Sequence, residues 1–325
     1  MNCRAVSALA LVIATVAGCE KAASQQQKGS GPLGANERTL FQFLPRGAQI
    51  YFAGDYSKLQ DFMKSGLGQF TTSLADKVSP SMSTLTTCLA GPRGMKSAMS
   101  MSFADKKFED KIVIDGLKIE DVARCGKQSG LETTVDADGK FVAVVLPMPT
   151  GAIDFAYYQL ASGALYSHQT ITLGSDKPVP QAVSRAVCEA ELATVGHASA
   201  ADDPAFTALA AKADRSKTGW FVASGAGTAF GSTLGELYGS VDATSGVALD
   251  VTVQLVKATD ADKVEQAVAQ LRKMADQMPA SFKAVVTALR FERSGERLHA
   301  SLALSDSQLK SVSEQLGGML GAQIH

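Results

Sequence analysis

Neither sign of charge dominates this chain: Lys and Arg number 31 against 32 Asp and Glu, for a formal net charge of −1 over 325 residues. So balanced a chain has no field with which to draw in a polyanion, and nucleic acid is not an expected partner. Aromatic residues are sparse, with a single tryptophan, and histidine occurs only at His168, His197, His299 and His325. No His-Glu-x-x-His pair and no triad company surrounds them, so neither a zinc site nor a triad hydrolase is expected. Beyond residue 19 no apolar run reaches the eighteen or so residues that a membrane-spanning helix needs. No metal and no cofactor is assigned.

What is present at the start of the chain is an export signal. Arg4 supplies a positive n-region and Ala8-Leu9-Ala10-Leu11-Val12-Ile13-Ala14 an apolar h-region too short to cross a bilayer. It runs into Val16-Ala17-Gly18-Cys19, which resembles the lipobox of bacterial lipoproteins, an apolar residue and two small residues before an obligatory cysteine. The small side chains let a peptidase approach the backbone. The resemblance implies cleavage between Gly18 and Cys19, acylation of the Cys19 thiol and amine, and an anchor of several acyl chains on an envelope membrane. Glu20 stands where inner-membrane retention commonly uses aspartate, which points to the outer membrane, facing the periplasm. Residues 19–38, rich in Gln, Gly and Ser, have almost nothing to bury and read as a tether. Roughly 20 residues of such chain hold a body about 25 Å from the lipid.

Three cysteines remain in the body. Cys88 and Cys125 flank one strand-hairpin-helix unit and are the expected disulfide; Cys188, among small apolar residues at helical spacing, reads as a buried hydrophobe.

Periodicity predicts an α+β fold. Strands are expected at 48–54, 96–103 and 111–115, with a helix at 55–64 between the first two and another at 119–126. Strands at 132–135 and 141–146 join across Asp136-Ala-Asp-Gly-Lys140, where Asp-Gly favours a hairpin over a calcium loop that lacks its further ligands. Strands follow at 153–160 and 164–168. The second half repeats the order about 170 residues later: strands at 219–223 and 247–256, a helix at 261–274 capped by Asp260, a hairpin of 284–291 with 298–304, and a helix from Asp306 to Leu320. We therefore expect an internal duplication, with units at 39–175 and 176–325, each an antiparallel sheet covered by helices on one face. In this the body is similar to duplicated envelope lipoproteins of unknown function in delta-proteobacteria.

Catalytic patterns are near misses. Ser307-Gln-Leu-Lys310 and Lys217-Thr-Gly219 echo serine penicillin-binding enzymes, but in reversed order and without Ser-Asp-Asn. Gly225-Ala-Gly-Thr-Ala-Phe-Gly231 misses the dinucleotide fingerprint and carries no Walker lysine. Met95, Met99 and Met101 offer thioethers for copper, though Met99 and Met101 share a strand face as core residues do. Trp220 beside Lys217, and Tyr157-Tyr158, are candidate pocket walls. The expectation is a non-catalytic envelope protein that binds or scaffolds an unknown envelope protein. The alternative is a carrier of lipid or another apolar ligand between sheet and helices.

Overall fold

The computed structural model describes residues 31–55, 80–89, 95–104, 107–148, 151–172, 183–196, 198–224, 228–229, 232–244 and 246–321. Of the helix expected at 55–64, Asp55 is instead the last residue of a strand and 56–64 lie outside them, as do Gly18, Cys19, His197 and His325. No described helix is long and apolar enough to cross a membrane.

The described residues are α+β, built on a 13-stranded antiparallel sheet. Helix α1 (Ala35–Phe41) leads into β1 (Ile50–Asp55), then α2 (Pro80–Leu89), β2 (Lys96–Ala104), β3 (Lys107–Asp115) and α3 (Ile119–Gln128). Strands β4 (Glu132–Val135), β5 (Phe141–Met148), β6 (Gly151–Gln159) and β7 (Leu165–Thr172) complete the first half. Helices α4 (Arg185–Val195) and α5 (Pro204–Ala210) precede β8 (Gly219–Ser224), β9 (Thr228–Ala229), β10 (Ser232–Asp242) and β11 (Val247–Leu255). Helices α6 (Ala258–Met274) and α7 (Ala280–Ala288), strands β12 (Arg290–Ser294) and β13 (Arg297–Leu304), and helix α8 (Asp306–Gly321) follow. Across the sheet the order is β12-β13-β11-β10-β8-β1-β2-β3-β7-β6-β5-β4, with β9 paired to β10.

The two halves meet at β1 and β8, which pair antiparallel with Phe52 directly opposite Phe221. Ala35 to Pro204 and Ile50 to Gly219 are both steps of 169 residues, so α1–β1 and α5–β8 are spaced alike. Phe52 and Phe221 stand at that same step. Outward from the seam, β1-β2-β3-β7-β6 on one side and β8-β10-β11-β13-β12 on the other follow the same path.

Directly paired residues share a face, so the ladder sorts the side chains into two faces. On the face of Tyr51, α1 and α5 close a core of Phe41, Leu44, Phe206, Tyr51 and Trp220, with Ala98, Val113 and Tyr166 beneath them. Phe206 lies 4.7 Å from Phe41 and 4.5 Å from Tyr51, ring centre to ring centre, so aromatic packing crosses the seam. On the face of Phe52, α3 buries Ile119, Val122 and Cys125 with Leu85 of α2 against Val142, Val144, Phe155 and Leu165. In the second half α6, α7 and α8 lie on that same face, over Leu298, Leu304, Val241 and Val247.

Helix cover therefore differs from the expected single face. In the first half helices lie on both faces, because β5 and β6 alternate large apolar residues to each side, Val142 and Val144 to one, Phe141 and Ala156 to the other. Helix α4, which the sequence reading places in the second unit, packs on β6 and β7 of the first.

Other differences have local causes. Residues 284–288, read as strand from Ala-Val-Val-Thr, are helix α7: Pro279 precedes it, and Val285 and Ala288, three apart, join the core while Val286 is buried. Asp260 does not cap α6, which starts earlier at Ala258; it sits buried in the first turn, 2.9 Å from Lys263 Nζ. Helix α1 starts inside the stretch read as tether, where Glu37 reaches back to the Gly34 amide. Strand β10 was not expected, because its glycines and serines mask its alternation. The Asp136–Lys140 hairpin pairs β4 with β5, with Gly139 at φ +70° and Asp138 Oδ1 accepting from the Lys140 amide at 3.0 Å.

Candidate functional site

Three places bring functional groups together. The first is the seam on the α1 side. Glu37 accepts from Trp220 Nε1 at 3.1 Å and from the Gly34 amide at 2.9 Å, and pairs with Arg215. Arg215 also donates to the carbonyls of Gly31 at 2.7 Å and Pro32 at 3.0 Å, so residues 31–37 are strapped onto the second half. A cleft of about 260 Å³ lies here, walled by Leu40, Ala53, Lys96, Arg215, Lys217 and Trp220 among others. Its ionic groups are largely engaged: Lys217 Nζ is 3.1 Å from Asp242 Oδ2. Trp220 and Lys217 do share a wall, whereas Tyr157 and Tyr158 point to opposite faces and form none together.

The second is a charged cluster beneath α4. Glu191 takes Lys111 Nζ at 2.8 Å on one oxygen, and on the other the Tyr166 hydroxyl at 2.8 Å, with His168 Nδ1 at 3.1 Å. Burial raises the Glu191 carboxyl, but His168 and Lys111 outweigh it and hold it down at about 2. Cys188 lies nearby, and burial with the Glu191 charge pushes its thiol up to about 12. A thiol so far from ionising is a packing residue rather than a nucleophile. The cluster ties α4 to β3 and β7.

The third is a transverse row of apolar side chains on the face of Phe52, which we term the trough. The ladder sets Ile112, Met99, Phe52, Phe221, Gly239 and Val251 in one row across β3, β2, β1, β8, β10 and β11. The large members of the row are all half-buried. Ile112, Met99, Phe52 and Val251 belong to none of the hydrophobic clusters among the described residues. They fill the interval between the cover of α2 and α3 and that of α6 to α8. Two glycines shape the floor: a Cβ at Gly219 would lie 2.8 Å from the Phe52 ring, and one at Gly239 would lie 2.6 Å from the Phe221 ring. Both rings consequently lie flat on the sheet.

The first-half end of this row is polar and buried. Ser167 is paired with Ile112 and is fully buried, and Asp110 follows one step along β3 at 7 % exposure. Asp110 Oδ1 has no hydrogen-bond partner among the described residues. Ser167 lies directly opposite Tyr157 across β7 and β6, its hydroxyl beside the Tyr157 phenol. Burial pushes the Asp110 carboxyl up to about 7.

Of the residues singled out from sequence, Cys88 and Cys125 form a disulfide with Cα atoms 5.6 Å apart, joining α2 to α3. Met99 and Met101 share the trough face, while Met95 is buried in the α3 core. Among the described residues no group of three His, Cys, Asp or Glu side chains is placed to hold a metal. Ser307 is 2.9 Å from the Ser305 hydroxyl at the start of α8, and His299 Nε2 lies 2.9 Å from Asp250 Oδ2 on the open polar face of the second half. Sequence reasoning missed Asp110, Ser167, Ile112, Phe52 and Phe221. Their signal is the register, which no single stretch displays.

No protein-family model matches the chain, and no curated protein matches it. Among solved structures it is similar to crystal forms I, III and IV of TP0453. Form I gives a TM-score of 0.46 at 11 % identity, covering 85 % of this chain and 96 % of that one. Form III gives 0.47 at 14 % identity over 84 % and 97 %, and form IV gives 0.42 at 12 % over 84 % and 95 %.

Proposed function

We propose that this chain is a non-catalytic lipoprotein of the cell envelope, tethered through acyl chains on Cys19, whose body is a binding module. The observation that carries the binding role is the trough, a row of half-buried apolar side chains outside the hydrophobic clusters of the described residues. Half-buried apolar residues in one continuous row suit recognition of an apolar partner better than does a scatter of single exposed ones. Support for a tethered body comes from the sequence of residues 1–38 and from Arg215 and Glu37, which fix the point where the tether joins the sheet at residues 31–37. An internal duplication is part of this proposal: the common step of 169 residues, the shared strand path and the Phe52–Phe221 pair at the centre all favour it. Duplication would place the trough across the axis relating the copies. Of the two partners considered from sequence, the apolar ligand is favoured over an envelope protein, because the trough's first-half end holds buried polar groups that a flat protein interface would leave unsatisfied.

The tether is tested by labelling and fractionation. The wild-type chain is expected to incorporate labelled palmitate and sediment with membranes, and Cys19→Ala to do neither. Unchanged labelling of Cys19→Ala would overturn the lipoprotein assignment.

A further inference from the structure

We infer that the trough holds one long acyl chain, with its carboxyl or ester end hydrogen-bonded to Asp110 and Ser167. This rests on the reading of the trough as the binding surface.

The floor from Ile112 to Val251 crosses six adjacent strands, which at about 4.8 Å per step is about 24 Å. A bilayer's hydrocarbon core of about 30 Å is two acyl chains thick, so one chain of about 15 Å fits along the row with room for its head. The flattened rings of Phe52 and Phe221 give the middle of the floor low relief, which suits an unbranched chain rather than a bulky ring system. The head end has its own chemistry. Asp110 and Ser167 are each more than nine-tenths buried on the trough face; Asp110 Oδ1 has no hydrogen-bond partner among the described residues, and the Tyr157 phenol adjoins both side chains. A buried polar atom left unpaired forfeits its hydrogen bond, so a ligand that pairs with Asp110 binds better than a bare hydrocarbon. Near neutral pH a substantial fraction of the Asp110 carboxyl retains its proton, because burial holds it up at about 7. It then donates to a ligand carboxylate or ester oxygen, and the Ser167 hydroxyl supplies a second donor. Free fatty acids and acyl esters share this chemistry and are separated by the test.

The experiment uses the whole mature chain with Cys19→Ser, so that no detergent is needed, with palmitate and 1-palmitoylglycerol as probes. Displacement of a fluorescent C18 fatty acid and native mass spectrometry give affinity and stoichiometry. The expected result is one chain per protein. Octanoate should bind at least tenfold more weakly, and Met99→Lys and Val251→Lys should each lose tenfold or more. Asp110→Leu should weaken both probes about tenfold while retaining a long-chain alkane, which separates loss of the head contact from loss of the trough. Stronger binding of palmitate than of the ester assigns fatty acid as the natural class, and the reverse assigns acyl ester. Circular dichroism checks that each variant folds. No binding of either probe, or binding indifferent to both lysine variants, overturns the acyl-chain inference. The tethered binding role would survive that result and fall only with loss of Cys19 acylation or of every trough-dependent ligand.

Discussion

The two halves of the sheet follow one strand path but are clothed differently. The first half has helices on both faces and a disulfide between α2 and α3, so β5, β6 and β7 are buried from either side. The outer strands of the second half, β11, β13 and β12, carry α6 to α8 on one face. On the other they present Asp250, His299, Ser301 and Arg290, with no described helix over them. The lesson is that one topology supports both a double-sided core and a single-sided one when the alternation along the strands changes. Val142-Ala143-Val144 demands cover on both sides, whereas Leu298-His299-Ala300-Ser301-Leu302 demands it on one. The trough falls between the described helices of the two halves.

The largest expected effects break the first half or the seam. Phe41 is fully buried against Phe206 and Trp220, so Phe41→Ala is expected to cost about 3–5 kcal/mol in urea titration. Because that core spans the seam, both halves should unfold in one transition; a second half that stays folded would show the halves to be independent. Replacing Cys88 and Cys125 by serine opens a loop of 37 residues' separation, for an expected loss of about 3–4 kcal/mol by chain entropy. Hydrogen exchange should rise over α2 and α3 and stay unchanged in α6 to α8.

Smaller effects sharpen the contrast. Arg215→Met leaves Glu37 with its Trp220 and Gly34 donors, so about 2 kcal/mol is expected, below the full cost of breaking a buried pair, with earlier proteolysis near residues 31–37.

Two carboxyls of the first half should give opposite pH dependences. Asp110 titrates higher when folded than its usual 3.8, so its contribution is fully present below about 3.8 and is lost as pH rises through about 7. Asp110→Leu should therefore raise stability more at pH 8 than at pH 5. Glu191 titrates lower, at about 2 rather than 4.5, so its contribution is present above 4.5 and lost as pH falls through about 2. Glu191→Gln should accordingly lose most near neutral pH. Equal effects of either variant at the two ends of its range would contradict the assignment. Least affected should be the exposed Val256, at 57 % exposure, where Val256→Thr is expected to change stability by less than about 0.5 kcal/mol.

Elements with strong local pattern were legible from sequence. The Asp-Gly hairpin at 138–139, the helix expected at 261–274 and found as α6, and the Cys88–Cys125 pairing are all local in chain or in motif. Helix α7 was misread because Val285 and Val286 favour strands by propensity, while their packing against the sheet decides for helix. Strand β10 was missed because Gly239 lacks a side chain where the Phe221 ring needs the space. The trough was illegible for a different reason. It takes one residue from each of several strands, and only the pairing of β1 with β8 and β2 sets them side by side.

The measurement that tests the central claim most directly is native mass spectrometry of the protein purified from its own envelope without added ligand, beside the Met99→Lys variant. The account predicts a bound apolar molecule on the wild-type protein in stoichiometric amount, absent from the folded variant. A wild-type protein that carries nothing, or a variant that retains the same mass, would contradict the trough as the binding site.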